Sequence, residues 1–529
     1  MLNSIMSSNN MMVSPHWVAT QIGIDIMRSG GNAVEAMIAS AAAISVAYPH
    51  MNSMGGDNFW LIKNLNKKVF AIEATGASAQ KANRDFYISQ GHNSIPTRGG
   101  LAALTVPGAV GGWENAFNFS KNHLEGKKSL QELLEPAEQI AKHGVLATNS
   151  LVRNLNSKKH ELANINEFYK KFYKNKNILV GKNLKFPELE ETFKTLKKNG
   201  LNDFYHGKLN KRIISDLSKT SSPLSKTDFH NYRAINVEPI SLKLQRMEIF
   251  NLPPPTQGLA SLLIMGILDK IKDKYISDFH FVHSLVEATK IAFKIRNKYI
   301  CDPRFMKIDI KEFLNDKFLV QSANKISFNK TFPWSNEVEN GDTVWLGAAD
   351  KFGNVVSFIQ SIYWEFGSGI FSPETGIIFQ NRGISFSLDK THHNFLTPNK
   401  KPFHTIQPAL AILNDGRTIC YGTMGGDGQP QTQATILSRY IDLKMSPQHA
   451  INTPRWLLGR TWGDNNTNLK LEDGFDKLLI TELKKVGHEI ELVSNFNEIM
   501  GHAGMIVRNN NGNLVSGYDL RSDGMALGN

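Results

Sequence analysis

One stretch decides how this sequence folds: Gly341-Asp342-Thr343-Val344-Trp345-Leu346-Gly347-Ala348-Ala349-Asp350, followed by Lys351-Phe352-Gly353-Asn354 and Val355-Val356-Ser357-Phe358-Ile359-Gln360-Ser361. The first and last parts alternate with the period of a β-strand. The middle part has turn composition, because Gly and Asn adopt positive φ at little cost. The stretch therefore predicts a β-hairpin with a loop of about five residues. If the loop is symmetric about Phe352, Thr343 faces Ser361, and a β-bulge would shift this register by one residue.

Length and charge limit the class of protein. A chain of 529 residues exceeds what one simple core usually organises. Its 41% apolar and 20% charged residues are ordinary for a globular protein, and its net charge of +12 mildly favours anionic substrates. Lysine-rich runs such as 170–176 suit a solvated helical face better than a nucleic-acid groove, because no nucleic-acid motif accompanies them. We expect no nucleic-acid partner, and a basic nucleic-acid binder stays a distant alternative.

Cysteine and histidine usage indicates neither a disulfide framework nor a metal site. Cys301 and Cys420 are the only cysteines and have no metal or redox spacing, and the histidines show no ligand spacing. Residues 1–8 lack a basic region followed by an apolar core, and no apolar run approaches the roughly 18 residues of a membrane span. We therefore expect a cytoplasmic protein that needs no cofactor or metal and binds no membrane.

Hairpins recur along the chain and alternate with long apolar helices. The predicted strand pairs are 58–62 with 69–73, 409–413 with 418–422, and 505–507 with 514–516; the predicted helices are 18–27, 33–47, one beginning near 259, and about 279–300. About 127–235 has the pattern of a peripheral, lysine-rich helical layer, and 317–340 that of a polar linker. This alternation favours antiparallel sheets covered by helices over a parallel βαβ array.

Four segments, in this order and spacing, resemble the gamma-glutamyltranspeptidase family of N-terminal-nucleophile hydrolases. They are Gly30-Gly31-Asn32-Ala33-Val34-Glu35-Ala36, Gly55-Gly56-Asp57, Ala103-Leu104-Thr105-Val106-Pro107-Gly108-Ala109-Val110-Gly111-Gly112-Trp113, and the hairpin at 342–361. The resemblance implies an α+β fold, the four-layer α-β-β-α sandwich with two antiparallel sheets covered by helices. It also implies a precursor cut between Asp342 and Thr343. The products would be a large chain, 1–342, and a small chain of 187 residues, 343–529, which together form one globular unit. Whether two such heterodimers associate is left open.

The chemistry that the resemblance implies starts from Thr343. A threonine hydroxyl needs a base, and cleavage would provide one as the new α-amine, with a reference pKa of roughly 7.7–8.0. In this sequence we find neither a Gly-x-Ser-x-Gly elbow nor a His-Glu-x-x-His helix that would compete. Taken alone, Gly425-Gly426 after a strand is either a simple turn or an anion-binding loop. The family match assigns these two amides to the oxyanion hole.

The substrate-binding positions depart from true transpeptidases. Their carboxylate-binding arginine is absent from residues 73–79, the amine-binding acid falls at Ser385, and a neighbouring glutamine falls at Arg382. The family's serine pair reads His404-Thr405 here. Losing both charged anchors argues against glutathione. The remaining segments, Gln380-Asn381-Arg382-Gly383, His404-Thr405 and 424–431, resemble the branch that includes oxamate amidohydrolase.

Arg382 is the expected carboxylate clamp, and Arg98 is a second candidate. Thr405, Ser385 and Asp427 are expected to bind substrate as well. A structural ion pair of Arg382 with Asp427 or another acid is the alternative. His404 is expected to be a hydrogen-bonding group of the site, and a packed turn residue is its alternative.

The sequence therefore predicts a self-processing threonine amidohydrolase that cleaves a small carboxylate-bearing amide through an acyl-threonine ester. The nearest alternative is a gamma-glutamyltransferase or glutathione hydrolase with a rebuilt pocket. An alternative from another class is an uncleaved, inactive homologue that acts as a binding or assembly protein.

Overall fold

The computed structural model describes residues 3–174, 177–334, 342–459 and 467–529. In chain order, the strands of these residues are β1 (Ile5–Ser7), β2 (Met11–Ser14), β3 (Asp57–Lys63), β4 (Val69–Ala74), β5 (Val145–Leu146), β6 (Asn183–Leu184), β7 (Ile235–Val237), β8 (Ile240–Lys243), β9 (Met247–Asn251), β10 (Asp342–Ala349), β11 (Val355–Tyr363), β12 (Ala409–Leu413), β13 (Thr418–Gly422), β14 (Trp456–Leu458), β15 (Leu469–Glu472), β16 (Ile490–Val493), β17 (Gly504–Arg508), β18 (Leu514–Tyr518) and β19 (Met525–Gly528).

Helices occupy much of the chain between these strands. They are α1 (Trp17–Arg28), α2 (Ala33–Ala47), α3 (Arg84–Ile88), α4 (Ala109–His123), α5 (Leu130–His143), α6 (Asn149–Ser157), α7 (Lys159–Leu162), α8 (Asn166–Phe168), α9 (Pro187–Asn199), α10 (Asp203–His206), α11 (Lys208–Ser218), α12 (Lys226–Asn231), α13 (Gly258–Asp269), α14 (Asp278–Tyr299), α15 (Asp316–Ala323), α16 (Gly428–Ile441), α17 (Pro447–Asn452) and α18 (Lys477–Lys485). None of the helices in the described residues is long and apolar enough to cross a membrane.

Two seven-stranded antiparallel sheets form the centre of the molecule. The first has the order β1-β18-β17-β13-β12-β9-β8, and the second has the order β19-β2-β10-β11-β3-β4-β7. Both sheets contain strands from before and after residue 342, so neither part of the chain completes a sheet alone. A small sheet, β14-β15-β16, includes a parallel pair.

Successive side chains of β10 point to opposite faces of its sheet, and the cores that they enter define the four layers of the sandwich. Trp345 points between the sheets, into a core shared with Phe59 and Leu410. Val344 and Leu346 point the other way, into the core formed with α1, α2 and α4. A third core lies between the first sheet and α13, α14 and α16. The predicted α-β-β-α sandwich is therefore confirmed.

The loop of the β10–β11 hairpin is attached to the start of α2. The loop spans 350–354, the five residues predicted. Asp350 Oδ2 accepts a hydrogen bond from Ala33 N at 2.8 Å, at the start of α2. Asn32 and Glu35 form a capping box at the same helix end, which is why α2 begins where the sequence predicts. This contact fixes one end of the strand that carries Thr343.

Two peripheral predictions need qualification. About 127–235 is mainly helical, as predicted, but its apolar faces bury Leu133, Phe168 and Phe193 in the core next to the second sheet. The predicted polar linker 317–340 is wrong in its first part, because α15 reaches Ala323 and buries Leu319. Its last part, 335–340, lies outside the described residues.

Candidate active site

Thr343 lies at the start of β10 and is fully buried. Gln429 Nε2, on the first turn of α16, lies 3.4 Å from Thr343 Oγ1 as a hydrogen-bond donor. The amide of Gln429 is held in turn, because its Oε1 accepts from Gln407 N at 3.1 Å. A side chain from the helix that follows the glycine loop therefore contacts the predicted nucleophile.

The register of the hairpin differs from the symmetric prediction at its open end. The predicted pairing holds along 344–349, but Asp342 lies opposite Tyr363, so a β-bulge falls between Asp342 and Val344. The shift leaves Ser361 and Ile362 together opposite Thr343, so the pairing of Thr343 with Ser361 stays a prediction. A bulge places two residues of one strand against one of the other, and this shifts the register next to the predicted scissile bond.

Ser361 also pairs with the strand that lies on the other side of β11 from β10. It pairs with Asp57 of β3, and its Oγ accepts a hydrogen bond from Tyr363 N at 2.8 Å. Tyr363 has a φ of 80°, in a region that L-residues other than Gly rarely adopt. Ser361 therefore stabilises an unusual backbone conformation at Tyr363.

The predicted oxyanion glycines form the turn between β13 and α16. Gly425 has φ 114° and Gly426 has φ 50°, and both conformations favour glycine. Gly428 N donates to Gly425 O at 2.7 Å and Gln429 N donates to Gly426 O at 3.2 Å, so the turn leads directly into the helix. Amides at a helix N-terminus suit a developing negative charge.

Asp427 is bound by an arginine that the sequence interpretation did not consider. Its Oδ1 and Oδ2 accept from Arg296 Nη1 and Nη2 at 2.6 and 3.2 Å. Arg296 Nη1 also donates to Gln257 Oε1 at 2.8 Å. Of the alternative partners expected for Arg382, Asp427 is bound by Arg296 on α14, and an ion pair with another acid stays open. The contact with Arg296 gives Asp427 a partner within the protein and makes a direct role in binding substrate less favourable.

Gln257 joins the glycine turn to the predicted substrate-binding residues. Its Nε2 donates to Gly426 O at 2.8 Å and to Thr405 O at 2.5 Å. Thr405 Oγ1 in turn accepts from Arg382 Nη1 at 3.0 Å. Hydrogen bonds thus connect Arg382 to the glycine turn through Thr405 and Gln257.

Arg382 is fully buried in a short 3₁₀ turn, Arg382–Ser385. The carbon of its guanidinium lies 3.7 Å from the centroid of the Tyr363 ring, a cation–π distance. The positive φ of Tyr363 brings this ring under the cation. The guanidinium is therefore oriented by Tyr363 and Thr405, next to the end of the strand that pairs with β10.

Asp57 places a carboxyl group beside Arg382, where the sequence predicted no acid. Its Oδ1 accepts from Gly108 N at 2.9 Å and Gly76 N at 3.3 Å. Burial raises the pKa of Asp57 to about 7, against the opposing influence of Arg382 and of these amides. The structure therefore places an acid from β3 near Arg382, which the sequence did not predict.

His404 bonds to the same acid. Its Nε2 lies 3.1 Å from Asp57 Oδ2 and 2.6 Å from Thr75 Oγ1. Burial, together with the positive charges of Arg382 and Lys401, lowers the pKa of His404 well below its ordinary value. A neutral His404 therefore belongs to the hydrogen-bond network around Asp57.

The other two predicted positions have structural partners. Ser385 Oγ donates to Phe403 O at 3.2 Å. Arg98 Nη2 lies 2.6 Å from Glu161 Oε2, and its Nη1 donates to Glu365 O at 2.7 Å. Arg98 is therefore a weaker candidate than Arg382 for binding a substrate carboxylate.

Five residues of this site were not predicted: Asp57, Gln257, Arg296, Tyr363 and Gln429. Asp57 lies in a motif that was used only as a mark of the family, Gln429 lies three residues after Gly426, and Gln257 follows a proline-rich turn. No local pattern marks Tyr363, because its role depends on contact with Arg382.

Known proteins resemble this chain over its whole length. The family model described as gamma-glutamyltranspeptidase matches residues 19–529. An oxamate amidohydrolase proenzyme of Klebsiella pneumoniae subsp. pneumoniae is 44% identical over 100% of both chains. A glutathione hydrolase-like YwrD proenzyme of Bacillus subtilis is 37% identical, also over 100% of both. The crystal structure of cephalosporin acylase from Bacillus halodurans has a TM-score of 0.91 at 30% identity, covering 100% of this chain and 97% of that one.

Proposed function

Because this chain belongs to the gamma-glutamyltranspeptidase family and is an enzyme of the N-terminal-nucleophile hydrolase class, we propose that it is a self-processing threonine amidohydrolase. Its substrate in this proposal is a small amide that carries a carboxylate, such as oxamate. One observation carries the proposal: Gln429, three residues after Gly426, reaches the hydroxyl of the buried Thr343. This contact brings together the two parts that the chemistry needs, a nucleophile and an oxyanion hole.

In the proposed processing step, Thr343 Oγ attacks the carbonyl carbon of Asp342. The peptide C–N bond breaks as the acyl group passes to oxygen, and water then hydrolyses the ester. The products are a carboxylate on Asp342 and a free α-amine on Thr343. The β-bulge between residues 342 and 344 lies at this bond and supports the proposal, because bulges re-aim the backbone next to active sites.

In the proposed turnover, the α-amine of Thr343 accepts the proton of its own hydroxyl, and Oγ attacks the amide carbonyl of the substrate. The amides of Gly425 and Gly426 stabilise the resulting oxyanion. Ammonia leaves with the proton that the α-amine returns, and an acyl ester remains on Thr343. Water then resolves the ester and regenerates the hydroxyl.

Arg382 is the proposed anchor for the substrate carboxylate. Its guanidinium is oriented by Tyr363 and Thr405, and it lies in a hydrogen-bonded network that reaches the glycine turn. In this proposal a small dicarbonyl amide binds Arg382 through its carboxylate and presents its amide carbon to Thr343. The name of the 44% identical relative supports the same substrate class.

A glutathione hydrolase is the second candidate, and one observation favours it. A γ-glutamyl group needs a cation and an anion close together, and Asp57 places an acid beside Arg382. The name of the 37% identical relative agrees with this candidate. Against it, Asp57 is fully buried and already accepts from two backbone amides and lies beside His404.

The self-processing step is tested with purified protein and no added protease. We expect chains of 342 and 187 residues, with the smaller chain beginning at Thr343 by N-terminal sequencing. The Thr343→Ala variant should remain a single chain of 529 residues. Thr343→Ser is the matched control, because it keeps a hydroxyl and should still split. Cleavage at another bond, or normal splitting of the alanine variant, would refute the assignment of the nucleophile.

A further inference from the structure

The segment 327–334, which precedes the proposed cleavage site, is held between two parts of the protein. On one side, Phe332 N donates to Glu287 Oε2 at 2.5 Å, and Lys290 Nζ donates to Phe332 O at 3.1 Å. On the other side, Thr331 N donates to the carbonyl of Val486 at 3.0 Å. Both polar backbone groups of one residue are thus bound by side chains of α14.

The contacts on α14 form one stripe. His283, Glu287, Lys290 and Lys294 follow at intervals of three or four residues, which places them on one face of the helix. His283 Nε2 donates to Ser327 O at 2.8 Å, and Lys294 Nζ lies 5.7 Å from the Phe332 ring. We call these four side chains the α14 clip.

The charged and polar side chains of the clip pair with one another and with His488. Glu287 Oε1 lies 2.8 Å from Lys290 Nζ, and both side chains are buried. His283 Nε2 donates to a carbonyl, so its Nδ1 is the acceptor for His488 Nε2 at 2.8 Å. His488 lies between α18 and β16, so the clip also reaches the part of the chain that follows Thr343.

The same helix holds the glycine turn. Arg296, near the end of α14, binds Asp427 at 2.6 Å, and Asp427 directly follows Gly426. One rigid element therefore contacts both the segment before the proposed scissile bond and the proposed oxyanion hole. This arrangement fixes the position of one relative to the other.

We propose that the α14 clip positions segment 327–334 for self-processing, so that Glu287 and Lys290 are positioning residues of that step. The proposal rests on the proposed self-processing at Thr343. The clip holds the α14 side of this segment, while the other side is held by the bonds from Thr331 N to Val486 O at 3.0 Å and from Trp334 Nε1 to Thr467 O at 3.1 Å. Losing the hydrogen bond from Phe332 N to Glu287 loosens one side of the segment, which predicts processing about twofold to about 12-fold slower.

The clip also has the spacing of a metal site, but its charges oppose that interpretation. Single ligand atoms of His283, Glu287 and His488 lie within 4.8 Å of one another. However, Lys290 already occupies the carboxylate oxygen that a cation would need. A divalent ion there would face a second buried positive charge with only one carboxylate between them.

The test compares Glu287→Ala with Glu287→Gln and with Lys298→Ala. Gln keeps an acceptor oxygen for Phe332 N, and Lys298 is an exposed residue on the same helix. Newly synthesised precursor is chased on denaturing gels, and amide hydrolysis is measured per processed chain. We expect Glu287→Ala to process about twofold to about 12-fold more slowly, Glu287→Gln to recover most of the rate, and Lys298→Ala to match wild type. Activity per processed chain should stay within about twofold of wild type in all three, because the clip does not touch the proposed pocket.

A second readout does not depend on cleavage. In the uncleaved Thr343→Ala background, hydrogen exchange of the Phe332 amide should speed up with Glu287→Ala and not with Lys298→Ala. If a folded Glu287→Ala protein showed unchanged hydrogen exchange at Phe332 and an unchanged rate of processing, the proposed role of the clip would be refuted. A wild-type protein that never splits, but shows the expected change in exchange, would instead refute the proposed processing and leave the contacts standing. The metal content of the purified protein is also measured. One equivalent of metal in the wild-type protein that is absent from His488→Ala would show that these residues bind a metal and would refute the clip.

Discussion

Replacing Arg382 with Gln should separate the two candidate substrates. The side chain is fully buried and is oriented by the Tyr363 ring at 3.7 Å and by Thr405 Oγ1 at 3.0 Å. A charge-assisted hydrogen bond to a substrate carboxylate is worth about 1.5–3 kcal/mol. Losing it lowers kcat/KM for oxamate by about 12-fold to about 160-fold. Asp57 partly balances the charge of Arg382 when it is ionised, so the loss should lie near the lower end above pH 7.

The assay uses two small amides that differ in charge. Ammonia release is measured from oxamate and from oxamide, its neutral diamide, with wild-type and Arg382→Gln enzyme. Oxamide lacks the carboxylate, so its kcat/KM should change by less than about threefold. The ratio of the loss in kcat/KM on oxamate to the loss on oxamide then measures the contact with the carboxylate, separately from any general damage to the site.

Arg98→Gln is the matched control. Arg98 is a second buried arginine, but it is ion-paired with Glu161 at 2.6 Å. Its replacement should lower stability without changing the preference for oxamate over oxamide. Equal losses on both amides in Arg382→Gln would refute the carboxylate anchor. Glutathione cleavage that is faster than oxamate cleavage and insensitive to Arg382 would refute the preference for small anionic amides.

Two further predictions concern the neighbours of Arg382. Ser361→Ala removes the acceptor of the 2.8 Å hydrogen bond from Tyr363 N, which is worth about 0.5–1.5 kcal/mol. We therefore expect kcat/KM for oxamate to fall by about twofold to about tenfold in fully processed enzyme. Unchanged kinetics would mean that the conformation of Tyr363 does not depend on this hydrogen bond. The second prediction follows from the pKa of about 7 at Asp57. Below pH 7 the acid is neutral and leaves the positive charge of Arg382 uncompensated, so the preference for oxamate over oxamide should weaken as pH rises through 7. Asp57→Asn should keep that preference flat across the same range, and a slope that persists in this variant would assign the titration to another group.

The sequence by itself determined the local elements and the family. α2 follows from an apolar segment bounded by Asn32 and Tyr48-Pro49, and the five-residue hairpin loop follows from its Gly and Asn. These features depend on neighbours within a few residues, so their patterns can be seen in the chain. The resemblance rests on such local motifs and their order, which is why it also predicted the four-layer sandwich.

Only the tertiary structure decided the register at Thr343 and the charges around Arg382. The bulge at residues 342–344 lies where β11 is also paired to β3, and no rule of hairpin symmetry includes that second partner. Asp57 and Arg382 are 325 positions apart in the chain, and they become neighbours because β3 lies beside β11. Arg296 likewise takes Asp427 because α14 packs against α16. The strength of a buried charge pair depends on distance and on exclusion of water, and both are set by long-range packing that a local pattern does not contain.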